Sequence, residues 1–463
     1  MSEDELLDGL YPYRRDYRTY RAIPQDPVDR AELAAAVGFM AGQEDAMGDE
    51  GLVSGSLYSG DHDHYEFLGD IFSRFSHANI LQRDMYPSAT KFEGEIAAMV
   101  LSMLHAPEGG ASVITSGGSE SLISALYAYR EQGRRNGITR PNIVMPVTAH
   151  VALDKGGHWM NVEVRHARLA PDYRADVAAM AELVDDQTVA LVGSAGNYPH
   201  GLIDPISEMG ELAQERGLGL HVDGCLGGFL WPWLEELGYD IPPWDFRVPG
   251  VTSISADTHK FGYALKGTST LSFRSKDLRR LQYFTKPDWP GGLYLSPGLA
   301  GSRSGGLIAS TWAALLATGR SGYLSAAQEI MTAARTIRDG VEGIAGLEVI
   351  GDPYFLVAFK SQDPDLDIYL VNDSLKAAGW RLNALQLPAA LHFCVTRPNT
   401  APGVAERFVA DLAAAVAYAR EHRGEPADSG AMYGMGGTPQ GDQTLNDLMT
   451  SVLDMMLEPA PEE

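Results

Sequence analysis

Between residues 142 and 273 short apolar runs alternate with helical stretches, and this alternation constrains the fold more than any other feature of the chain. The apolar runs cover 142–145, 161–165, 188–193, 218–223, 251–255 and 268–273, and segments between the earlier ones, 175–185 and 205–216, place apolar residues at helical spacing. Strand and helix in alternation predict an α/β fold with a mostly parallel sheet and helices on its faces. No clear helix separates the last two runs, so an antiparallel strand is expected there.

Upstream, Ile96, Met99, Val100, Met103 and Leu104 recur at helical spacing across 92–105, a Gly-rich turn follows, and a second helix is expected from about Ser119 to Arg135. The first 60 or so residues carry a helical pattern only over 30–43. After the helical stretches 308–317 and 325–344 the pattern changes to short strands at 354–360, 381–385 and 392–395 around a helix at 367–378, followed by a long helix at 402–422. This predicts a smaller α+β domain. Residues 424–440 have the Gly/Pro content of a loop, and the tail after 457 is expected to fray. The implied division is an N-terminal segment at 1–75, a large domain at 76–320 and a small domain at 321–463.

The net charge of −25 disfavours nucleic acid and anionic membranes as partners, although an anionic substrate is compatible with positive groups that converge in a cleft. Cys225 and Cys394 are the only cysteines, too few for a disulfide framework or a zinc cluster. The N-terminal string MSEDELLDGL lacks the order of a signal peptide, and no apolar run reaches the roughly 18 residues of a spanning helix. A soluble, cytoplasmic protein without stable membrane insertion is expected.

Four short motifs carry chemistry. Ser255-Ala-Asp-Thr-His259-Lys260 follows a strand, where a lysine can form a Schiff base with an aldehyde cofactor and His259 can contact its ring or phosphate; the plainer alternative is a surface lysine at a loop start. His221-Val-Asp223 ends a strand, where a carboxylate can pair with the ring nitrogen of pyridoxal phosphate or simply cap the next turn. Thr115-Ser116-Gly117-Gly118-Ser119-Glu-Ser121 enters a helix and can hold a phosphate on glycine backbone and helix N–H groups, or be a capped helix start. His150 after a strand can stack on a cofactor ring, although a lone histidine is more often structural.

Each motif is weak alone, but their order resembles that of the pyridoxal-phosphate-dependent, decarboxylase-like enzymes of the aspartate-aminotransferase fold type. Longer strings resemble one branch, the sphingosine-1-phosphate lyases: His221–Leu230 (with Gly224 where that family has Ala), Val251–Lys260 followed by Lys266-Gly267, Gly291-Gly-Leu-Tyr294-Leu-Ser-Pro297, Ala300-Gly-Ser-Arg303-Ser-Gly-Gly306, Met432-Tyr-Gly-Met435 and Val53-Ser-Gly-Ser-Leu-Tyr58. The similarity runs from about Gly51 to Leu457.

The resemblance implies a type I pyridoxal-phosphate fold and a homodimer with shared active sites. Lys260 would be the Schiff-base lysine, Asp223 the partner of the ring nitrogen and His150 the stacking residue. Ser116, Gly117, Gly118, Ser119 and His259 would hold the cofactor, with Gly301 and Ser302 contributing from the other subunit. Tyr58, Asn79, Gln82, Arg83, Tyr198, Lys266, Ser302 and Arg303 would face a phosphorylated long-chain amino alcohol, with Lys266 near its phosphate. The reaction would break C2–C3 and release an aldehyde and a phosphorylated ethanolamine, with Tyr58, Tyr198 and Lys260 as candidates for the proton transfers.

One departure stands out: where the family has His-Pro, this chain has Gln82-Arg83. Glutamine donates a hydrogen bond but carries no proton at neutral pH, whereas Arg83 can grip an anion bidentately and His77 can fold into the gap. The aromatic stretch 231–246 is expected to pack against the sheet rather than line a lipid entrance. The rival expectations are an amino-acid decarboxylase using the same Lys260, Asp223 and His150, and a non-catalytic binding protein, against which the intact lysine, aspartate and glycine turn argue.

Overall fold

All six expected strands form, and a seventh joins them. The computed structural model describes residues 3–433 and 439–461; Gly434 and Met435 of the Met432–Met435 motif lie outside that range. In chain order the strands are β1 (Ala111–Thr115), β2 (Asn142–Pro146), β3 (Glu163–Ala167), β4 (Thr188–Ser194), β5 (Gly219–Asp223), β6 (Ser253–Ala256) and β7 (Ser269–Phe273), arranged β1-β7-β6-β5-β4-β2-β3. β3, β2, β4, β5 and β6 run parallel, while β7 is antiparallel to both β6 and β1. The expected antiparallel strand is therefore β7. β1 escaped the sequence pattern because its five residues sit between two glycine turns and pair with a strand far along the chain.

The central strands are buried along their whole length, as a sheet covered by helices on both faces requires. Trp231, Trp244 and Phe246 are buried, and the Trp231 Nε1 donates to the Ala195 carbonyl at 2.8 Å, so most of the aromatic stretch packs as expected. Trp233 is the exception: it stacks on Tyr323 with ring centroids 5.2 Å apart and lines an apolar cavity of about 830 Å³ together with Met99 and Met103.

A hairpin of β8 (Phe284–Trp289) and β9 (Gly292–Ser296) projects from the large sheet. The small sheet comprises β10 (Leu347–Val349), β11 (Leu356–Ser361), β12 (Asn383–Gln386) and β13 (Ala389–Cys394), antiparallel throughout in the order β10-β11-β13-β12. Helices Ile368–Ala377 and Val404–Glu421 accompany it, and Trp380, Phe393 and Phe408 form its aromatic core. The two helical stretches expected at 308–317 and 325–344 are halves of one long element, Gly305–Glu342, interrupted at Gly319, whose φ of 57° and ψ of 173° are not helical.

Two C-terminal expectations are corrected. Helix Asp428–Tyr433 lies inside the stretch expected to be a loop. The Ser429 N–H donates to Asp373 at 3.2 Å, and its hydroxyl accepts from Asn372 at 2.9 Å and Lys376 at 2.7 Å, tertiary bonds that local composition does not reveal. The tail is not frayed throughout, because Ala460 is buried and its carbonyl accepts from Arg21.

Burial holds His200, His221 and His392 each down to about 4. Their folded pKa values are depressed, so the stability they contribute is present above the unfolded value of about 6.5 and is lost as pH falls toward 4. With all three taking up protons on unfolding, and Asp204, which burial pushes up to about 6, offsetting one of them, stability should drop by roughly 3 kcal/mol per pH unit below pH 6. Urea unfolding at pH 7, 6 and 5 checks this, and a flat dependence would contradict the buried, neutral state of these rings.

Candidate active site

The parallel register of β5 on β6 sets Asp223 opposite Ser255, so both strands end at the same edge of the sheet. Open α/β sheets bind ligands at such carboxyl ends. Asp223 is buried, and its Oδ1 accepts from the Cys225 N–H at 2.9 Å and the Ser255 hydroxyl at 3.3 Å. Burial alone would raise this carboxyl, but His150, the Cys225 N–H and His221 outweigh it and hold the group below the usual carboxylate range. It is therefore an anion at neutral pH. The His150 residue is exposed, and its Nδ1 accepts from the Ala152 N–H at 3.1 Å.

Beyond β6 the chain turns through Asp257, Thr258 and His259 to Lys260. Lys260 Nζ lies 3.0 Å from Asp257 Oδ2, and the Asp257 carboxylate is almost wholly buried. Burial works against the ammonium, yet Asp257, Tyr58 and Cys225 together raise it well above the ordinary lysine range. Asp257 Oδ1 is buried without a hydrogen-bond partner among the described residues. His259 Nδ1 contacts the Thr268 carbonyl at 2.5 Å, and its Nε2 lies 3.7 Å from Asp257.

The glycine turn closes the other side. Helix Gly118–Arg135 begins after Gly117 with no side-chain cap, so its first-turn N–H groups are free to meet an anion. Glu120 reaches back to the Ser116 N–H at 2.7 Å and fixes the turn. A Cβ at Gly118 would stand 2.9 Å from Asp257 Oδ2 and 3.0 Å from Cys225 Sγ, and one at Gly117 would stand 3.8 Å from the His259 ring. Glycine is thus what lets this turn abut the Lys260 segment. A lysine amine, an ionised strand-end carboxylate, and an uncapped helix start beside a histidine fit the aldehyde, ring nitrogen and phosphate of pyridoxal phosphate in turn.

Tyr58 is buried beside Phe261, ring centroids 5.0 Å apart, and burial raises its phenol well above the usual range. Lys266 Nζ sits 4.8 Å over the Tyr58 ring and donates to the Ser56 carbonyl at 2.9 Å. Burial, and then the neighbouring Lys260, lower its pKa. Tyr198 is half-exposed, its ring 5.0 Å from His392. Both tyrosines are held from β13: the Ser54 hydroxyl accepts from the Cys394 N–H at 2.9 Å and donates to the His392 carbonyl at 3.3 Å, while His392 Nδ1 contacts the Pro199 carbonyl at 3.0 Å.

The remaining sequence-selected residues gather elsewhere in the chain. Asn79 Nδ2 donates to the Ser302 hydroxyl at 3.0 Å, and Asn79 Oδ1 accepts from the Arg303 N–H at 3.3 Å. The neighbouring Gly301 approaches the Tyr294 hydroxyl, which a Cβ there would meet at 2.9 Å. Gln82 is exposed, and His77 contacts Tyr86 rather than filling the position of Gln82, with ring centroids 6.2 Å apart. Arg83 and Arg303 both pair with Glu93, so within one subunit neither guanidinium is directed at Lys260. Sequence inspection gave Asp257 no role, although its i,i+3 spacing from Lys260 was a local signal; the Ser54 and His392 supports, hundreds of residues apart, had none.

The pattern of the pyridoxal-dependent decarboxylase conserved domain matches residues 54–362. A sphingosine-1-phosphate lyase of Dictyostelium discoideum is 40% identical over 451 residues, covering 96% of this chain and 84% of that protein. The chain belongs to the sphingosine-1-phosphate lyase family. The rat sphingosine-1-phosphate lyase 1 is 38% identical over 99% of this chain and 81% of its own length. The solved structure of a Burkholderia pseudomallei sphingosine-1-phosphate lyase superposes with a TM-score of 0.90 at 45% identity, covering 97% of this chain and 99% of that one. A glutamate decarboxylase of Lactobacillus brevis shares the fold, with a TM-score of 0.75 at 21% identity over 90% of this chain and 98% of that one. Pyridoxal phosphate is the cofactor that this family membership and the residues above both require.

Gly118→Ala should force Asp257 and Cys225 apart from the turn and weaken pyridoxal phosphate binding about tenfold. Absorbance titration of the apo protein with the cofactor measures this; unchanged affinity would show that the turn does not form the phosphate cradle.

Proposed function

We propose that the protein is a pyridoxal-phosphate-dependent aldehyde lyase that cleaves sphingosine 1-phosphate, or a similar phosphorylated long-chain amino alcohol, to a fatty aldehyde and phosphoethanolamine. The observation that carries this is the placement of Tyr58 and Lys266 beside Lys260, with Asp223 on the adjacent strand end. When bound, pyridoxal phosphate supplies an aldehyde that condenses with amines and a protonated ring that accepts the electron pair of a breaking bond. Asp223, ionised and fixed by two donors, keeps that ring nitrogen protonated. Lys260 would hold the cofactor through Nζ, and with Asp257 beside it that amine is placed to carry protons to and from the substrate.

The raised pKa of Tyr58 makes it a neutral phenol at physiological pH, suited to donating a hydrogen bond rather than to abstracting a proton. Tyr198 and Lys260 are then left as the candidates to take the C3 hydroxyl proton. Lys266, at the open side of Tyr58, meets the substrate phosphate as a point charge. We further assign 1–75 to a partner-contacting segment, 76–320 to the large domain and 321–463 to the small one.

We also place the protein in the cytoplasm as a homodimer, with the Gly301–Ser302 loop, Asn79 and Gln82 completing the neighbouring subunit's site. The β8–β9 hairpin and the turn after it support this: Leu293 and Leu295 of β9 are 80% and 66% exposed and Leu299 is 74% exposed, apolar surface that a second subunit would cover. Among the described residues no helix is long and apolar enough to cross a membrane.

Incubating the cofactor-loaded protein with sphingosine 1-phosphate should yield both long-chain aldehyde and phosphoethanolamine. Carbon dioxide release from amino acids without those products would favour the decarboxylase instead. Lys260→Ala should abolish turnover, and residual lyase activity in that variant would sink the mechanism. Asp223→Ala should cost orders of magnitude in kcat. Lys266→Ala should raise KM for phosphorylated substrates about ten- to hundredfold and spare unphosphorylated analogues; equal losses on both would remove Lys266 from the phosphate.

A further inference from the structure

Arg83, Arg279 and Arg303 converge on a cavity of about 260 Å³ that contains none of Lys260, Asp223, Tyr58 or Lys266. Glu93 is the only carboxylate lining it. It pairs with both Arg83 and Arg303, so three permanent positive charges share one counter-charge. Arg303 donates to the Ile114 carbonyl at 3.4 Å, Arg279 to the Ser112 carbonyl at 3.3 Å, and Arg83 to the Thr90 hydroxyl at 3.2 Å. These contacts aim the guanidinium groups but leave donors over. The Nε atoms of Arg279 and Arg303 are buried with no hydrogen-bond partner among the described residues. Unpaired buried donors on charged groups are costly, and a small oxyanion satisfies several at once.

We propose that this cavity is a binding site for a phosphate oxyanion, distinct from the Lys260 site of the same subunit. Its volume lies below the roughly 300 Å³ at which drug-sized ligand pockets begin, which fits a free phosphate or a small phosphomonoester. The protein's net charge of −25 would repel anions over distance, but salt screens that field within about 8 Å, so local donors decide. The site also gives Arg83 a role within its own subunit, where the sequence offered it only as a grip on substrate. It does not depend on which reaction the enzyme catalyses.

The test is calorimetric titration of inorganic phosphate into the cofactor-loaded, full-length protein carrying Lys266→Ala, which removes the proposed head-group contact from the substrate site. Saturable binding should remain. Adding Arg279→Gln should weaken it about ten- to hundredfold, while adding Glu93→Gln should tighten it, because the internal competitor for Arg83 and Arg303 is gone. The opposite signs guard against general damage, and an unchanged cofactor absorbance confirms folding. Titration of phosphoethanolamine in parallel distinguishes the two sources: tighter binding of inorganic phosphate identifies the free ion, and tighter binding of phosphoethanolamine identifies the reaction product. Either ion bound with the two mutational effects upholds the site. Absence of saturable binding at millimolar phosphate, or binding indifferent to both Arg279 and Glu93, overturns it. Loss of lyase activity with phosphate binding intact would bear on the reaction alone.

Discussion

The pairing of β5 with β6 is the constraint on which the candidate site rests. Because the two strands are parallel and in register, Asp223 and the chain leading to Lys260 emerge at one edge, and the cofactor's two ends can be gripped by residues 37 positions apart in sequence. Packing on both faces of the sheet fixes that register, since a slip by one residue would exchange the side chains of the two buried faces and undo the fit of each. The buried Asp257 carboxylate then keeps the Lys260 amine charged in a place where desolvation would otherwise discharge it.

The balance of charge in the site follows from this. Lys260 and Lys266 are set against Asp223 and Asp257, all within a molecule that is strongly acidic overall. An anionic substrate is drawn in by local cations, not by the field of the whole protein. The Arg83, Arg279 and Arg303 cluster repeats the same logic at a second place, where the guanidinium groups are held by backbone carbonyls and a shared glutamate.

Much of this was legible in the sequence because it is local. The six strand runs, the strand-end Asp223, the Asp-Thr-His-Lys260 string and the glycine turn all lie within a few residues of the element that positions them. β1 was not legible, since five residues between glycines say little until β7 is known to pair with them. The pairing of Arg83 was hidden for a related reason: its neighbours in sequence suggested a substrate contact and gave no sign of Glu93, which lies one to two helical turns along Ser88–Met103 and also binds Arg303. Helix Asp428–Tyr433 was hidden because Asp373 and Asn372, which anchor it, belong to a different helix.

The attachment of Tyr58 and Tyr198 to β13 gives the protein an order of assembly. The large sheet, the glycine turn and Lys260 are all synthesised before residue 274, but the strand that holds both tyrosines ends at Cys394. A nascent or truncated chain can therefore hold Asp223, Lys260 and the glycine turn in place while the two tyrosines proposed to face the substrate still lack their scaffold. The tyrosine side of the site is scaffolded only when the last third of the polypeptide has folded back onto what precedes it.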